Sequence, residues 1–293
     1  MRLDQVLVTN NLCRSRSQAQ DYIKRGLVFV NEKAITKTSH KISNQDEIRI
    51  LSEKSLEFVS RAANKLNGAL SAFQENGLIV TGKNCLDIGA STGGFTQILL
   101  SAGAKSVTAL DVGHGQLNPD IANHPSVIKM SGYNARNLAP EDLSYRPDLI
   151  VADVSFISLK LLLGPMKKVI NSKTELLLMV KPQFEVGKSR LGKNGVVTNS
   201  EHRQQAVKEV IETAKNIGLD LVGGVKSALP GPNGNQEYFI WLKVGAVENE
   251  TNWATQHSEH LNLFINQLVD KKVLDFYESP RLTNQFVSFK EQQ

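Results

Sequence analysis

Only two cysteines, Cys13 and Cys85, occur in the 293 residues of this chain. They fall in separate segments and build no ligand cluster, which argues against a disulfide framework or a metal site. No apolar run approaches the ~20 residues that cross a bilayer. The opening stretch "MRLDQVLVTNNL" carries Asp4 and too short an apolar segment for a signal peptide. These absences lead to the expectation of a cytoplasmic protein that meets no membrane and holds no metal.

What is present begins with size. The length suggests about two domains, and a hydrophobic content of 41% is enough for a sizeable core. The net charge is +5, and its placement matters more than its size. Residues 1–41 hold eight Lys and Arg against Asp4, Asp21 and Glu32, so the first 41 residues carry the whole excess. A basic front on a neutral body suggests a small nucleic-acid-binding module.

The hydrophobic pattern divides the chain in the same way. Residues 2–10 read as a short helix. A second starts at Ser15, with Gln18 at the capping-box position and Gly26 as its stop. "LVFV" (27–30), "AIT" (34–36) and "DEIRI" (46–50) read as strands. Residues 1–59 are therefore expected to form one small α+β domain with its linker. Residues 60–245 open with a helix on which Ala63, Leu66 and Leu70 share a face. Strand-like segments then alternate with helical ones. The strands are expected at 84–88, 106–111, 126–129, 148–153, 175–181, 219–225 and 237–243. Helices are expected near 95–102, 157–170 and 201–216, the last capped by Thr198 and Glu201. That alternation predicts an α/β domain with a mostly parallel sheet and helices on both faces. Residues 246–293 read as a polar tail with some helical pattern, around Leu261, Phe264, Ile265 and Leu268, and no catalytic signature.

The most specific segment is "CLDIGASTGGFTQILL" (85–100). A strand reaches Asp87, passes through Gly89, Gly93 and Gly94, and leads into a helix. Glycines there allow backbone conformations and close approaches that a side chain forbids. The spacing is neither G-x-G-x-x-G nor a P-loop. The next strand ends about 20 residues on in Asp111, where a carboxylate can hold ribose hydroxyls. D-x-G-x-x-x-G-G followed by that acid suggests S-adenosylmethionine more than a nicotinamide dinucleotide. Asp153 ends another apolar strand, and Lys181 ends the next, "ELLLMVK", with Pro182 behind it. Glu237 opens the last strand after "GPNGNQ", and Lys65 lies in "SRAANKL". Two lysines and two acids can thus converge on one mouth of the sheet.

Taken together, "SRAANKL", "DIGASTGGFT", "DVGHGQL", "NARNL", "DVSFISL", "KPQFEVG" and "GPNGNQE" resemble the TlyA (hemolysin A) family of ribosomal RNA 2′-O-methyltransferases. The resemblance runs from about residue 1 to 243. It implies an S4-like RNA-binding domain in front of an FtsJ-like, Rossmann-like methyltransferase domain that uses S-adenosylmethionine. It implies a catalytic tetrad at Lys65, Asp153, Lys181 and Glu237. It puts the methionine end of the cofactor on the turn with Asp87, Gly89, Ser91, Gly93, Gly94 and Phe95, the ribose on Asp111 and the adenine near Asn134. One departure is visible, since Ala62 and Ala63 stand where the family has two glycines.

A 2′-hydroxyl is a poor nucleophile, so the site must align it and help its proton leave. Lys181 is expected to take the proton or to stabilise the developing alkoxide. Asp153 is expected to orient Lys181, while Lys65 and Glu237 position the ribose. A ribose 2′-hydroxyl marks the acceptor as RNA rather than DNA. The expected partners are ribosomal RNA or ribosomal subunits, with cytidine as the family's target. Arg2, Arg14, Arg16, Lys24 and Arg25 are the candidate phosphate contacts. Three other readings stand beside this one. They are a membrane-active hemolysin, a non-catalytic RNA-binding assembly factor, and a methyltransferase acting on bases or small molecules. The lack of an N-P-P-[YF] motif and the two lysines favour ribose over the last.

Overall fold

The computed structural model describes residues 1–13, 15–24, 26–43, 45–50, 58–231, 233–245, 258–270 and 287–288. The N-terminal module has helices α1 (Leu3–Thr9) and α2 (Arg16–Lys24) packed on a three-stranded antiparallel sheet. Its strands are β1 (Val28–Val30), β2 (Lys33–Ala34) and β3 (Ile48–Ile50), in the order β2-β1-β3. Leu3, Leu7, Ala19, Ile23, Val28 and Val30 form its core. The β1–β2 turn holds Asn31 and Glu32 at positive φ, the backbone of a tight hairpin. Ser15 Oγ accepts from the Gln18 amide at 3.2 Å, but the Gln18 side chain turns to Tyr22 Oη at 2.7 Å.

The body is built on an eight-stranded sheet ordered β11-β9-β10-β8-β7-β4-β5-β6. Strands β4 (Asn84–Ile88), β5 (Ser106–Asp111), β6 (Val127–Ser131), β7 (Leu149–Ala152) and β8 (Glu175–Val180) run parallel. Strands β9 (Leu219–Lys226), β10 (Tyr238–Val244) and β11 (Val287–Ser288) complete one side antiparallel. Side chains alternate across the sheet with period two. Leu177, Met179, Phe239 and Trp241 therefore enter one core, under α3 (Arg61–Gln74) and α4 (Gly94–Ser101). Leu176, Leu178, Val180, Ile240 and Leu242 enter the other, with Leu163 and Met166 of α6 (Lys160–Val169) and Val207 and Val210 of α8 (Ser200–Lys215). Two buried faces explain why these strands read as continuous apolar runs. A short helix α5 (Pro119–Ala122) follows β5, and α7 (Pro182–Glu185) follows β8.

The helix α9 (Ser258–Asp270) lies on the same face as α8, burying Leu261, Phe264, Ile265 and Leu268. Gly224 of β9 makes room for it, because a Cβ there would sit 2.9 Å from Leu268 Cδ2. The cap of α8 differs from the expected one. Asn199, not Thr198, is the N-cap, and its Oδ1 accepts from the Glu201 amide at 2.7 Å. Asx side chains reach this amide at least as well as threonine does.

The two parts meet at a small joint. Phe29 has the Arg49 and Arg61 guanidiniums over its ring, each 5.3 Å from the ring centre. Leu27, Phe29 and Leu229 cluster there, and Arg61 donates to the Pro230 carbonyl at 3.0 Å. Among the described residues no helix is long and apolar enough to cross a membrane, and no group of His, Cys, Asp or Glu is arranged to hold a metal ion. Both thiols are free and buried, and burial pushes Cys85 up to about 12.

Candidate active site

The carboxyl ends of the parallel strands form one edge, the usual place for chemistry in open α/β sheets. At the end of β4 the chain turns through Gly89, at φ +84°. A Cβ at Gly89 would stand 2.7 Å from the Asp153 carbonyl oxygen, so only glycine lets this turn pass so close to the β7 end. Gly93 caps α4 in the left-handed region, and a Cβ there would strike Leu117 and Ile121. A Cβ on Gly94 would fall 2.9 Å from the Ala63 nitrogen.

Asp111 ties this turn to the next strand. Its Oδ2 accepts from the Ser91 amide and its Oδ1 from the Gly113 amide, both at 2.8 Å. Ala90, Ser91, Asp111, Gly113 and Ser131 line a small concavity over it. Beneath the turn, Asp87 is wholly buried, and its Oδ2 accepts from Thr96 Oγ1 at 2.7 Å. Burial pushes the Asp87 carboxyl up to about 7, against the Thr96 bond and with help from Asp153 and Asp111. Asp87 Oδ1 is buried without a hydrogen-bond partner. Phe95 is also buried, stacked 6.0 Å from Phe239, so only its backbone faces the turn's ligand side. Asn134 is exposed, caps the turn at Ala135–Asn137 through the Arg136 amide, and lies outside the concavity. A glycine turn that passes close to a neighbouring strand, a strand-end carboxylate and an open concavity fit the nucleoside and amino-acid ends of S-adenosylmethionine.

The four residues expected to carry the chemistry converge as two ion pairs. Lys181 Nζ is 2.5 Å from Asp153 Oδ1, and it donates to Ser155 Oγ at 2.9 Å. Lys65 Nζ is 2.5 Å from Glu237 Oε2. Both lysines are buried, at 5% and 8% exposure, and Glu237 is wholly buried. Strand register explains the meeting. Tyr238 pairs with Val180 across β10 and β8, so the next residues out, Glu237 and Lys181, emerge side by side. Gln183 braces the second pair by donating to Glu237 Oε1 at 3.1 Å.

Sequence reasoning missed several members of this edge. Ser155 and Gln183 orient tetrad groups, yet a serine or glutamine in a loop carries no signal of its own. Glu185 clasps two loops together, accepting from Ser158 Oγ at 2.6 Å and the Leu159 amide at 2.7 Å. Phe156 is 93% exposed at φ +64°, with its ring 5.3 Å from Phe184. A bulky residue held in the left-handed region and presented to solvent is uncommon. The aromatic within "DVSFISL" was its only trace in the sequence.

In the basic module, Arg2 and Arg16 share one buried acid. Arg2 Nε donates to Asp4 Oδ1 at 3.0 Å and Arg16 Nε to Asp4 Oδ2 at 2.9 Å, with Gln20 adding a bond to Oδ2 at 3.0 Å. These donors hold the Asp4 carboxyl well below the usual carboxylate range, the Arg2 bond most of all. Both guanidiniums stay about half exposed, and Lys24 is exposed on the same helix as Arg16. Arg14 and Arg25 lie outside the described residues.

Comparisons with known proteins identify the relatives of both parts of the chain. Residues 58–244 match the family of FtsJ-like methyltransferases, and residues 1–48 match the S4 domain. The chain is 43% identical over 243 residues to the 16S/23S rRNA (cytidine-2′-O)-methyltransferase TlyA of Mycobacterium tuberculosis, covering 83% of this chain and 90% of that protein. It is 39% identical over 240 residues to Hemolysin A of Brachyspira hyodysenteriae, covering 82% and 98%. A solved structure from Streptococcus thermophilus that carries a hemolysin name superposes with a TM-score of 0.68 at 33% identity, covering 92% of this chain and 95% of that one.

Proposed function

Because this chain belongs to the TlyA family of FtsJ-like methyltransferases, we propose that it methylates a ribose 2′-hydroxyl of ribosomal RNA, at cytidine. The domains of the reading are 1–59 for RNA binding, 60–245 for catalysis and 246–293 as an appended tail. The observation that carries it is the pair of buried lysine–carboxylate contacts beside the glycine turn. S-Adenosylmethionine, bound over that turn and Asp111, supplies an electrophilic methyl group.

The chain's own residues do the rest. Asp153 and Ser155 hold the Lys181 amine at a fixed point. In its neutral form that amine accepts the 2′-hydroxyl proton at Nζ, a contribution of roughly 10²–10⁴-fold for a well-placed base. The Lys65–Glu237 pair, braced by Gln183, positions the ribose. Burial keeps water from competing for either pair. Phe156, projecting beside Phe184, offers a ring on which an unstacked base can rest. Arg2, Arg16 and Lys24 supply salt-sensitive phosphate contacts from the module.

The membrane-active reading rests on the names of relatives alone, whereas the tetrad and the family both speak for methyl transfer. The test is methyl transfer from labelled S-adenosylmethionine to ribosomal subunits from cells lacking the gene, with nucleosides resolved by mass spectrometry. A 2′-O-methylcytidine that vanishes with Lys181→Ala is the expected result. Cofactor binding without label in either subunit overturns the ribosomal reading.

A further inference from the structure

The tetrad does not exhaust the cationic chemistry of the molecule. A cleft of about 660 Å³ opens between the β1–β2 turn of the module and the body's residues 193–198, 226–230 and 233–236. Lys33 and Arg49 face it from the module, and Lys193 and Lys226 from the body, against one acid, Glu32. Glu32 is itself mostly exposed and 3.9 Å from Arg49. Burial first, and then the nearby Arg203, push the Lys226 ammonium down, against the opposing pull of Asp270 and Glu32. Asn194, Asn233 and Gln236 line it as well, with Asn233 Nδ2 donating to the Asn194 carbonyl and Gln236 Nε2 to the Ser227 and Glu237 carbonyls. Cations gathered from two sides of one cleft suit phosphate oxygens, which accept charge-assisted hydrogen bonds.

The cleft is also tied to the active edge. Asn235, buried beside it, accepts from the Val197 amide at 2.9 Å and donates to the Gly195 carbonyl at 2.9 Å. Those bonds fasten the 193–198 loop to the segment that delivers Glu237. Gln236 lines the cleft, and the next residue is in the tetrad. Pro230 lines it too, and its carbonyl takes the Arg61 bond one helical turn before Lys65. The cleft thus borders both the start of α3, which carries Lys65, and the segment that carries Glu237.

We infer that this interdomain cleft is a subsite for the phosphodiester backbone of the RNA strand flanking the target ribose, gripped from both domains at once. The inference rests on the proposed RNA methyl transfer and deepens it, since it names where the strand leaves the reaction centre. Lys33 and Lys193 are both exposed, one in each domain, so replacing them leaves both cores intact.

The experiment measures filter binding of unmodified small- and large-subunit ribosomal RNA transcripts between 50 and 200 mM salt, for wild type, the double variant Lys33→Glu/Lys193→Glu and the double variant Lys33→Arg/Lys193→Arg. The glutamate variant is expected to bind at least about 10-fold more weakly. Its log–log salt slope should fall by roughly 0.7 per lost phosphate contact on single-stranded RNA. S-Adenosylmethionine affinity should not change, and the arginine variant should retain affinity and slope. Unchanged affinity and slope in the glutamate variant, while wild type binds and methylates RNA, overturn the subsite and leave the methyltransferase reading standing. So does an equal loss in the arginine variant, which would point to shape rather than charge. A wild type that neither binds nor methylates RNA removes the underlying reading and the subsite with it.

Discussion

The module and the body each enclose one aspartate completely, and the two carboxylates behave in opposite ways. Asp4 gathers Arg2, Arg16 and Gln20, and is held well below the usual carboxylate range. Asp87 has only Thr96 as a side-chain donor and two acids nearby, and is pushed up to about 7. Both are at 0% exposure, so burial alone does not set the ionisation of a carboxylate. Partners decide. In the module the buried charge organises a cationic surface. In the body the buried acid sits under the glycine turn as a group that can lose its charge near neutrality.

Asp153 extends the contrast, since it has a single buried cation as its partner. Removing that cation should give the largest effect. Lys181→Ala should lower methyl transfer on the order of 10²–10⁴-fold while cofactor affinity, read by calorimetry, is kept. Retained turnover would break the assignment of Lys181. Asp4→Asn comes next. It should destabilise the module by roughly 1–3 kcal/mol, the scale of lost charge-assisted hydrogen bonds. RNA affinity should fall with it, but cofactor affinity should not. Loss of both would mean that the two regions are not independent.

The pH dependence sharpens the comparison further. Asp87 binds its proton more tightly folded than unfolded, so its contribution is fully present below pH about 4 and is lost as pH rises through about 7. Asp4 has the reverse sign, with a contribution present above about 4 and lost in acid. Thermal unfolding of Asp87→Asn should therefore be flatter than wild type between pH about 4 and about 7. A parallel curve would break the reading of Asp87. The smallest effect concerns the α8 cap. Asn199→Ala should cost about 1 kcal/mol in denaturant unfolding, and Thr198→Ala less than about 0.5 kcal/mol.

Much of the fold is legible in the order of residues along the chain. The alternation of apolar runs marks out the parallel strands, because a sheet covered on both faces needs continuous hydrophobic segments. The turn at Gly89–Gly94 is legible because its glycines are local requirements of backbone geometry. The helical face at Leu261, Phe264, Ile265 and Leu268 is also visible in the spacing, although where it packs is not. The α8 cap falls one residue beyond the expected Thr198, at Asn199, since the two side chains offer the same chemistry and only the backbone angle chooses between them.

By itself, then, the sequence determined the element order, the glycine turn, the confined basic charge and the residue types able to do the chemistry, all of which depend on spacing along the chain. Only the tertiary structure decided which lysine meets which carboxylate, because Glu237 and Lys181 become neighbours through the β10–β8 register across 56 residues of chain. Only the fold brought Asp4 to Arg16, and Lys33 to the same cleft as Lys193. Hydrogen bonds and ion pairs act over a few ångströms, and distance in space between residues far apart in sequence is set by packing.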